Sequence, residues 1–151
     1  MPAREYTERH SVLYRWCHSD LVNSEFQYQY GLNMHPNEDT FRDPQVHLDV
    51  ILWGMPAAEL FRFPGHGSTL CRVELPDDAL VYEPVVGGSF KASRMYLSEA
   101  CALCVMTREA QTHPGYQHVT LPALLEAMGM QDVVCTCPAD HAAGTAASTC
   151  A

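Results

Sequence analysis

Lysine is nearly missing from this chain. Lys91 is the only one among 151 residues, and nine basic residues in all stand against 18 acidic ones, for a formal charge of −9. A surface so short of cations repels phosphate backbones and anionic membranes unless a local patch overrides it, and only Lys91 to Arg94 brings two cations together. Nucleic acid is therefore not an expected partner. No apolar run reaches 18 residues, which argues against a membrane-spanning helix, and Met1 to His10 is charged with no hydrophobic segment behind it. The expectation is a cytoplasmic protein, or one secreted by a route without a cleavable signal peptide. There is no Gly-x-Ser-x-Gly elbow, no phosphate-cradling glycine loop and no internal repeat. The seven cysteines are odd in number and irregular in spacing, which excludes a complete disulfide framework and points to reduced thiols.

What is present describes a folded domain. A hydrophobic share of 47% with 18% charged residues is too apolar for a disordered chain, and this length suits one core. We expect a single α+β domain over residues 1–138 and a flexible tail over 139–151, where small residues dominate.

In chain order, a polar leader gives way to a strand over 11–17, in which Leu13, Arg15 and Cys17 share one face and Val12, Tyr14 and Trp16 the other. Arg15 thus interrupts an apolar face, either with its head in solvent or as a buried anchor for an anion or carboxamide. Ser19 or Asp20 caps a predicted helix over 19–30, ended by Gly31. A polar loop over 33–44 has the length of a lid or binding loop. The run 46–54 reads as a central strand with Asp49 its one charge, and Pro56 opens a short helix over 57–61. Two strands, 68–75 and 79–84, flank the turn Pro76-Asp77-Asp78. A short strand over 94–97 precedes a helix capped by Ser98 and running to Gln111. Thr120 caps another helix, over 121–130, whose Leu121, Leu124, Leu125 and Met128 form an i, i+3, i+4, i+7 core stripe.

Two groups carry possible chemistry. Cys101-x-x-Cys104 and Cys135-x-Cys137-x-x-x-His141 hold enough soft ligands for tetrahedral zinc. The first pair, however, falls inside the predicted helix and the second at the edge of the tail. We therefore expect no metal ligands, with zinc the basis only of an alternative reading as a zinc-stabilised binding module. As a redox pair Cys101 and Cys104 lack the Gly-Pro that such motifs carry. The histidines mostly lie in polar stretches, where solvation is their ordinary fate.

The second group is an order of elements: a strand with Leu13-Tyr14-Arg15, a helix ending at Gly31-Leu32, the strand 49–52, the helix 57–61, the strand 70–75, the turn 76–78 and the strand 80–83. This order resembles the ADP-ribosyltransferase fold, in particular the arginine-type bacterial toxins and effectors. Their first strand carries Tyr-Arg or Phe-Arg, followed by an aspartate and then Gly-Phe or Gly-Leu. The resemblance, over residues 12 to 98, implies a mixed or antiparallel sheet split into two small sheets, NAD as substrate and a protein target. It implies Arg15 as the dinucleotide anchor, an aromatic wall from Tyr14, Trp16 or Trp53, and a catalytic carboxylate. Loss of nicotinamide passes through an oxocarbenium-like state that such a carboxylate stabilises. The family's Ser-Thr-Ser would fall near 51–54, which is not hydroxylic here. Its glutamate would fall in 89–99, where Glu99 is the only acid; Glu83 and Asp49 are alternatives. These departures leave a divergent transferase using Glu99, or a non-enzymatic protein-interaction domain presenting the aromatics of 25–30.

Overall fold

The computed structural model describes residues 1–18, 20–23, 26–35, 52–62, 69–83, 88–113, 115, 119–130 and 133–137. Within them the chain is a single α+β domain built on one antiparallel sheet. The strands are β1 (Leu13–Cys17), β2 (Val22–Asn23), β3 (Phe26–Gln27), β4 (Gly31–Met34), β5 (Trp53–Pro56), β6 (Thr69–Glu74), β7 (Val81–Tyr82), β8 (Phe90–Ala92) and β9 (Arg94–Ala100). The helices are α1 (Ala3–Arg9), α2 (Ala102–Thr112) and α3 (Leu121–Ala127), with a 3-10 helix over Ala57–Arg62. Seven strands run in the order β4-β9-β6-β1-β5-β8-β7, while β2 and β3 form a separate ribbon. Two small sheets were expected. They are joined here because β5 serves both sides, pairing Met55 and Pro56 with β1 and Trp53 and Gly54 with β8.

Both faces of this sheet are covered, which explains why all five residues of β1 are buried. On the face of Leu13 and Cys17 lie Cys71, Val73, Met95 and Leu97, packed under α1 and under Leu21, Phe26 and Tyr28 of the ribbon. On the opposite face Tyr14, Trp16, Met55 and Leu70 pack beneath the 3-10 helix, α2 and α3. Full burial of one such large apolar side chain contributes roughly 1.5–3 kcal/mol.

Several elements follow the sequence pattern. β6 and the Pro76 turn fall as expected, with the Ala79 N–H bonding the Pro76 carbonyl at 3.0 Å. Yet β6 and β7 do not pair, since β7 lies at the sheet edge against β8. Thr120 caps α3 by accepting from the Ala123 N–H, and Leu124, Leu125 and Met128 are core. Pro56 ends β5 instead of opening a helix, the 3-10 turn starting one residue later.

Others depart from it. The leader is helix α1, because burying Ala3 and Tyr6, three apart, against Phe90 makes one helical turn amphipathic; the Tyr6 and Phe90 rings lie 5.0 Å apart. The predicted helix over 19–30 is replaced by β2 and β3, with β4 following at Gly31. There Asp20 Oδ1 accepts from the Val22 N–H in a tight turn instead of capping a helix, and Leu21 takes a left-handed φ of 58°, which a continuing helix forbids. Ser98 and Glu99 do not begin a helix either. They are held in β9 by register with Arg72 and Cys71, and Cys101 takes the N-cap position. The predicted lid over 33–44 begins in strand β4 and its residues 36–44 lie outside the described residues, as do residues 46–51 of the predicted strand over 46–54 and the tail over 139–151.

The tightest approach is at Gly54. A Cβ there would meet Phe90 Cζ at 2.6 Å and the Tyr14 carbonyl oxygen at 3.1 Å. Gly54→Ala is expected to lower stability by about 1–3 kcal/mol, the usual range for overpacking a filled interior, read as a lower urea midpoint at unchanged m-value.

Candidate functional site

Past Tyr14, β1 keeps its ladder with β6 to Cys17, whereas its register with β5 covers only Leu13 and Tyr14. The side chain of Arg15 occupies the place where that pairing stops. Its Nη1 donates to the Trp53 carbonyl at 2.8 Å. Its Cζ lies 4.1 Å from the ring centre of Tyr28 and 4.6 Å from that of Trp53, so the cation is held between two aromatic faces. Arg15 is only 2% exposed, its Nε–H has no acceptor, and no carboxylate pairs with it among the described residues. A buried guanidinium without a carboxylate is costly, and the aromatic faces and the neighbouring Cys17 sulfur offset that only in part.

A cavity of about 90 Å³ opens beside it, lined by Arg15, Cys17, His18, Leu21, Tyr28 and Trp53 among others. The sheet register sets Cys71 directly across from Arg15 and Glu99 directly across from Cys71. Residues opposite one another share a face, so Arg15 and Glu99 lie on the same side of the sheet with one strand between them, about 10 Å apart at their backbones. Glu99 is exposed at its end of this row. Tyr30 lies near the same end: burial raises its phenol pKa, as do the neighbouring Cys71, Glu99 and Cys17.

Of the residues singled out in the sequence, Arg15 and Trp53 line this cavity, while Glu99 shares the sheet face but stands two strands away on the side opposite Trp53, outside the lining. Tyr14 belongs to the other face, where its hydroxyl accepts from Arg108 Nη2 at 2.7 Å. The body of Trp16 packs on that face too, although the residue also borders the cavity. Glu83 is remote, pairing with Arg9 at 3.0 Å in a second cavity of about 310 Å³ lined by Tyr6, His10 and Glu59. Asp49 lies outside the described residues. Sequence reasoning missed Tyr28, since an alternating Phe26, Tyr28, Tyr30 pattern was read as helix.

A separate group forms where β9 runs into α2. The sulfurs of Cys101, Cys104, Cys135 and Cys137 all lie within 4.8 Å of one another. Cys104 Sγ is 3.0 Å from Cys101, 3.3 Å from Cys137 and 4.0 Å from Cys135. Cys101 precedes α2 and Cys104 stands in its first turn, so the pair is at a helix start and not in a helix interior. His141 lies outside the described residues.

Compared with known proteins, no family model, curated protein or solved structure matches the chain. No helix among the described residues is long and apolar enough to cross a membrane.

Cys17 and Cys71, both buried free thiols, share a hydrogen bond beside Arg15. That bond, opposed by burial and assisted by the Arg15 charge, lowers the Cys17 pKa from 9.0 to about 7, while the same bond and burial push Cys71 far up. A difference titration of thiolate absorbance against Cys17→Ser is expected to show one thiolate with a midpoint near 7. Because the folded value lies below the unfolded one, Cys17 adds stability above pH 9.0 that is lost as pH falls through about 7.

Proposed function

We propose that the chain is an NAD-dependent, ADP-ribosyltransferase-like domain of the effector or toxin kind, with Arg15 as anchor for the dinucleotide and Glu99 as the catalytic acid group. The observation that carries this reading is the buried Arg15, lacking a carboxylate partner, held between two rings at a cavity and sharing a sheet face with Glu99. An arginine so placed offers donors to an acceptor-rich ligand, either a phosphate or the nicotinamide carboxamide.

Trp53, together with Tyr28, supplies the aromatic wall in this reading, in place of Tyr14 and Trp16. The chemistry is departure of nicotinamide from the ribose. Glu99 accepts a hydrogen bond from a ribose hydroxyl, so that its negative charge strengthens the interaction as positive charge develops on the sugar. The bond then forms to an acceptor on a protein target. The enclosed volume of about 90 Å³ is smaller than a dinucleotide, so the adenosine half lies outside it, along the open side of the site.

A second reading, a protein-interaction domain without catalysis, is favoured by the sheet edge. There β4 has no strand on its outer side among the described residues, and Tyr30, Met34 and Tyr96 are large apolar residues left 45–50% exposed. Of the aromatics in 25–30, only Tyr30 contributes, because Tyr28 is buried and Phe26 half-buried.

Incubating the purified full chain with labelled NAD and a cell lysate tests the proposal. The expected result is label transfer or nicotinamide release, together with a rise in melting temperature on adding NAD. Glu99→Gln is expected to lower turnover by roughly 10²–10⁴-fold with the thermal shift kept. Arg15→Met is expected to lose the thermal shift. A wild-type chain with neither hydrolysis nor transfer nor a thermal shift overturns the reading in favour of the interaction domain.

A further inference from the structure

We infer that Cys101, Cys104, Cys135 and Cys137 form a structural zinc centre that fastens the C-terminal segment to the start of α2. The four sulfurs come from two places far apart in sequence, and converge to within 4.8 Å of one another. Ligands at about 2.3 Å from a tetrahedral zinc ion lie roughly 3.8 Å from each other, and the 3.0, 3.3 and 4.0 Å separations around Cys104 straddle that value. A multi-iron cluster spreads its thiolates further apart, so the spacing suits one ion. Four thiolates in a closed tetrahedron are the donor set of structural zinc, with no open position for a substrate.

The surroundings are arranged for negative charge on these sulfurs. The Thr136 N–H points at Cys101 Sγ at 3.3 Å and the Cys137 N–H at Cys135 Sγ at 3.5 Å, contacts that orient a thiolate and disperse its charge. Cys101 caps α2, an 11-residue helix with no acidic residue in its first turn, so the positive end of the helix faces the cluster. Cys101, Cys135 and Cys137 carry no disulfide, whereas Cys104 is disulfide-bonded. Disulfide formation at Cys104 is therefore the chemistry that competes with metal, and zinc requires this sulfur reduced. Bound zinc would close the chain from Cys104 to Cys135, holding α2 and α3 over the core. It would also fix the end of β9, where Glu99 stands two residues before Cys101.

The test uses the full chain, purified under reducing conditions without chelator. Elemental analysis is expected to find about one zinc per chain, and Cys135→Ser/Cys137→Ser to lose it, while Cys17→Ser/Cys71→Ser keeps it. Replacing the ion with cobalt in the wild-type chain is expected to give the thiolate-to-metal absorption of a four-sulfur tetrahedral site, a readout independent of whether the variants fold. A reduced wild-type chain with no bound metal and no cobalt spectrum overturns the inference. So does iron in place of zinc, or peptide mapping that finds Cys104 still in a disulfide in the metal-free chain as purified. The outcome is independent of NAD binding, so failure of either reading leaves the other standing.

Discussion

Burial of β1 on both faces is the constraint on which the rest of the domain depends. A strand with one wet face can place its polar residues there, but β1 has none, since α1 and the ribbon close one side and the helical layer the other. Every polar atom in Leu13–Cys17 must therefore find a partner inside the protein. The backbone does so through β6 along the whole strand. Tyr14 does so through Arg108. Trp16 leaves its buried Nε1–H without an acceptor, and Arg15 does the same with its Nε–H, so the strand holds a cation that is only partly paired. A fold spends stability to keep a cation there, and functional sites are where such local costs concentrate.

The two candidate centres divide the labour of the sheet. The face carrying Arg15, Cys71 and Glu99 opens on a cavity at Arg15 and ends in an exposed acid at Glu99. The other face is apolar and supports the helices, and the start of α2 gathers the cysteines. β9 connects the two, with Glu99 contributing to one and the chain leading directly from it into Cys101 of the other. Order at the cysteine cluster therefore bears on where Glu99 sits, without any direct contact between the centres being required.

What could be read from the sequence was whatever depends on neighbours along the chain. The Pro76 turn, the Thr120 cap and the Leu124, Leu125 and Met128 stripe rest on local rules, and each is found. The two faces of β1 were also legible from alternation alone. Misreadings arose where a residue type serves two local purposes. Asp20 accepts from a backbone N–H both at a helix cap and in a turn, and only the left-handed Leu21 separates the two cases. Ser98 and Glu99 suit a first helical turn, but the pairing with Arg72 and Cys71 outweighs that preference, and no local pattern announces it. The meeting of Cys101 and Cys104 with Cys135 and Cys137 is likewise a long-range contact, invisible to any window shorter than thirty residues. The pocket role of Tyr28 was hidden for a related reason, since it depends on a ribbon folding over a strand ten residues earlier.

The strand order has a kinetic consequence. In the seven-stranded sheet only β7 and β8 are both paired and consecutive in sequence; β1 joins β6, β4 joins β9, and β1 joins β5, each across a long stretch of chain. Chain entropy must be given up to close those loops before any ladder compensates for it, which makes folding of such a topology slow relative to a helical bundle of equal length. The hydrophobic β1, buried on both faces, is then left without its neighbours until β5 and β6 follow. Its last paired partner, β6, follows more than fifty residues later, so the nascent chain carries this apolar strand uncovered over that stretch of synthesis.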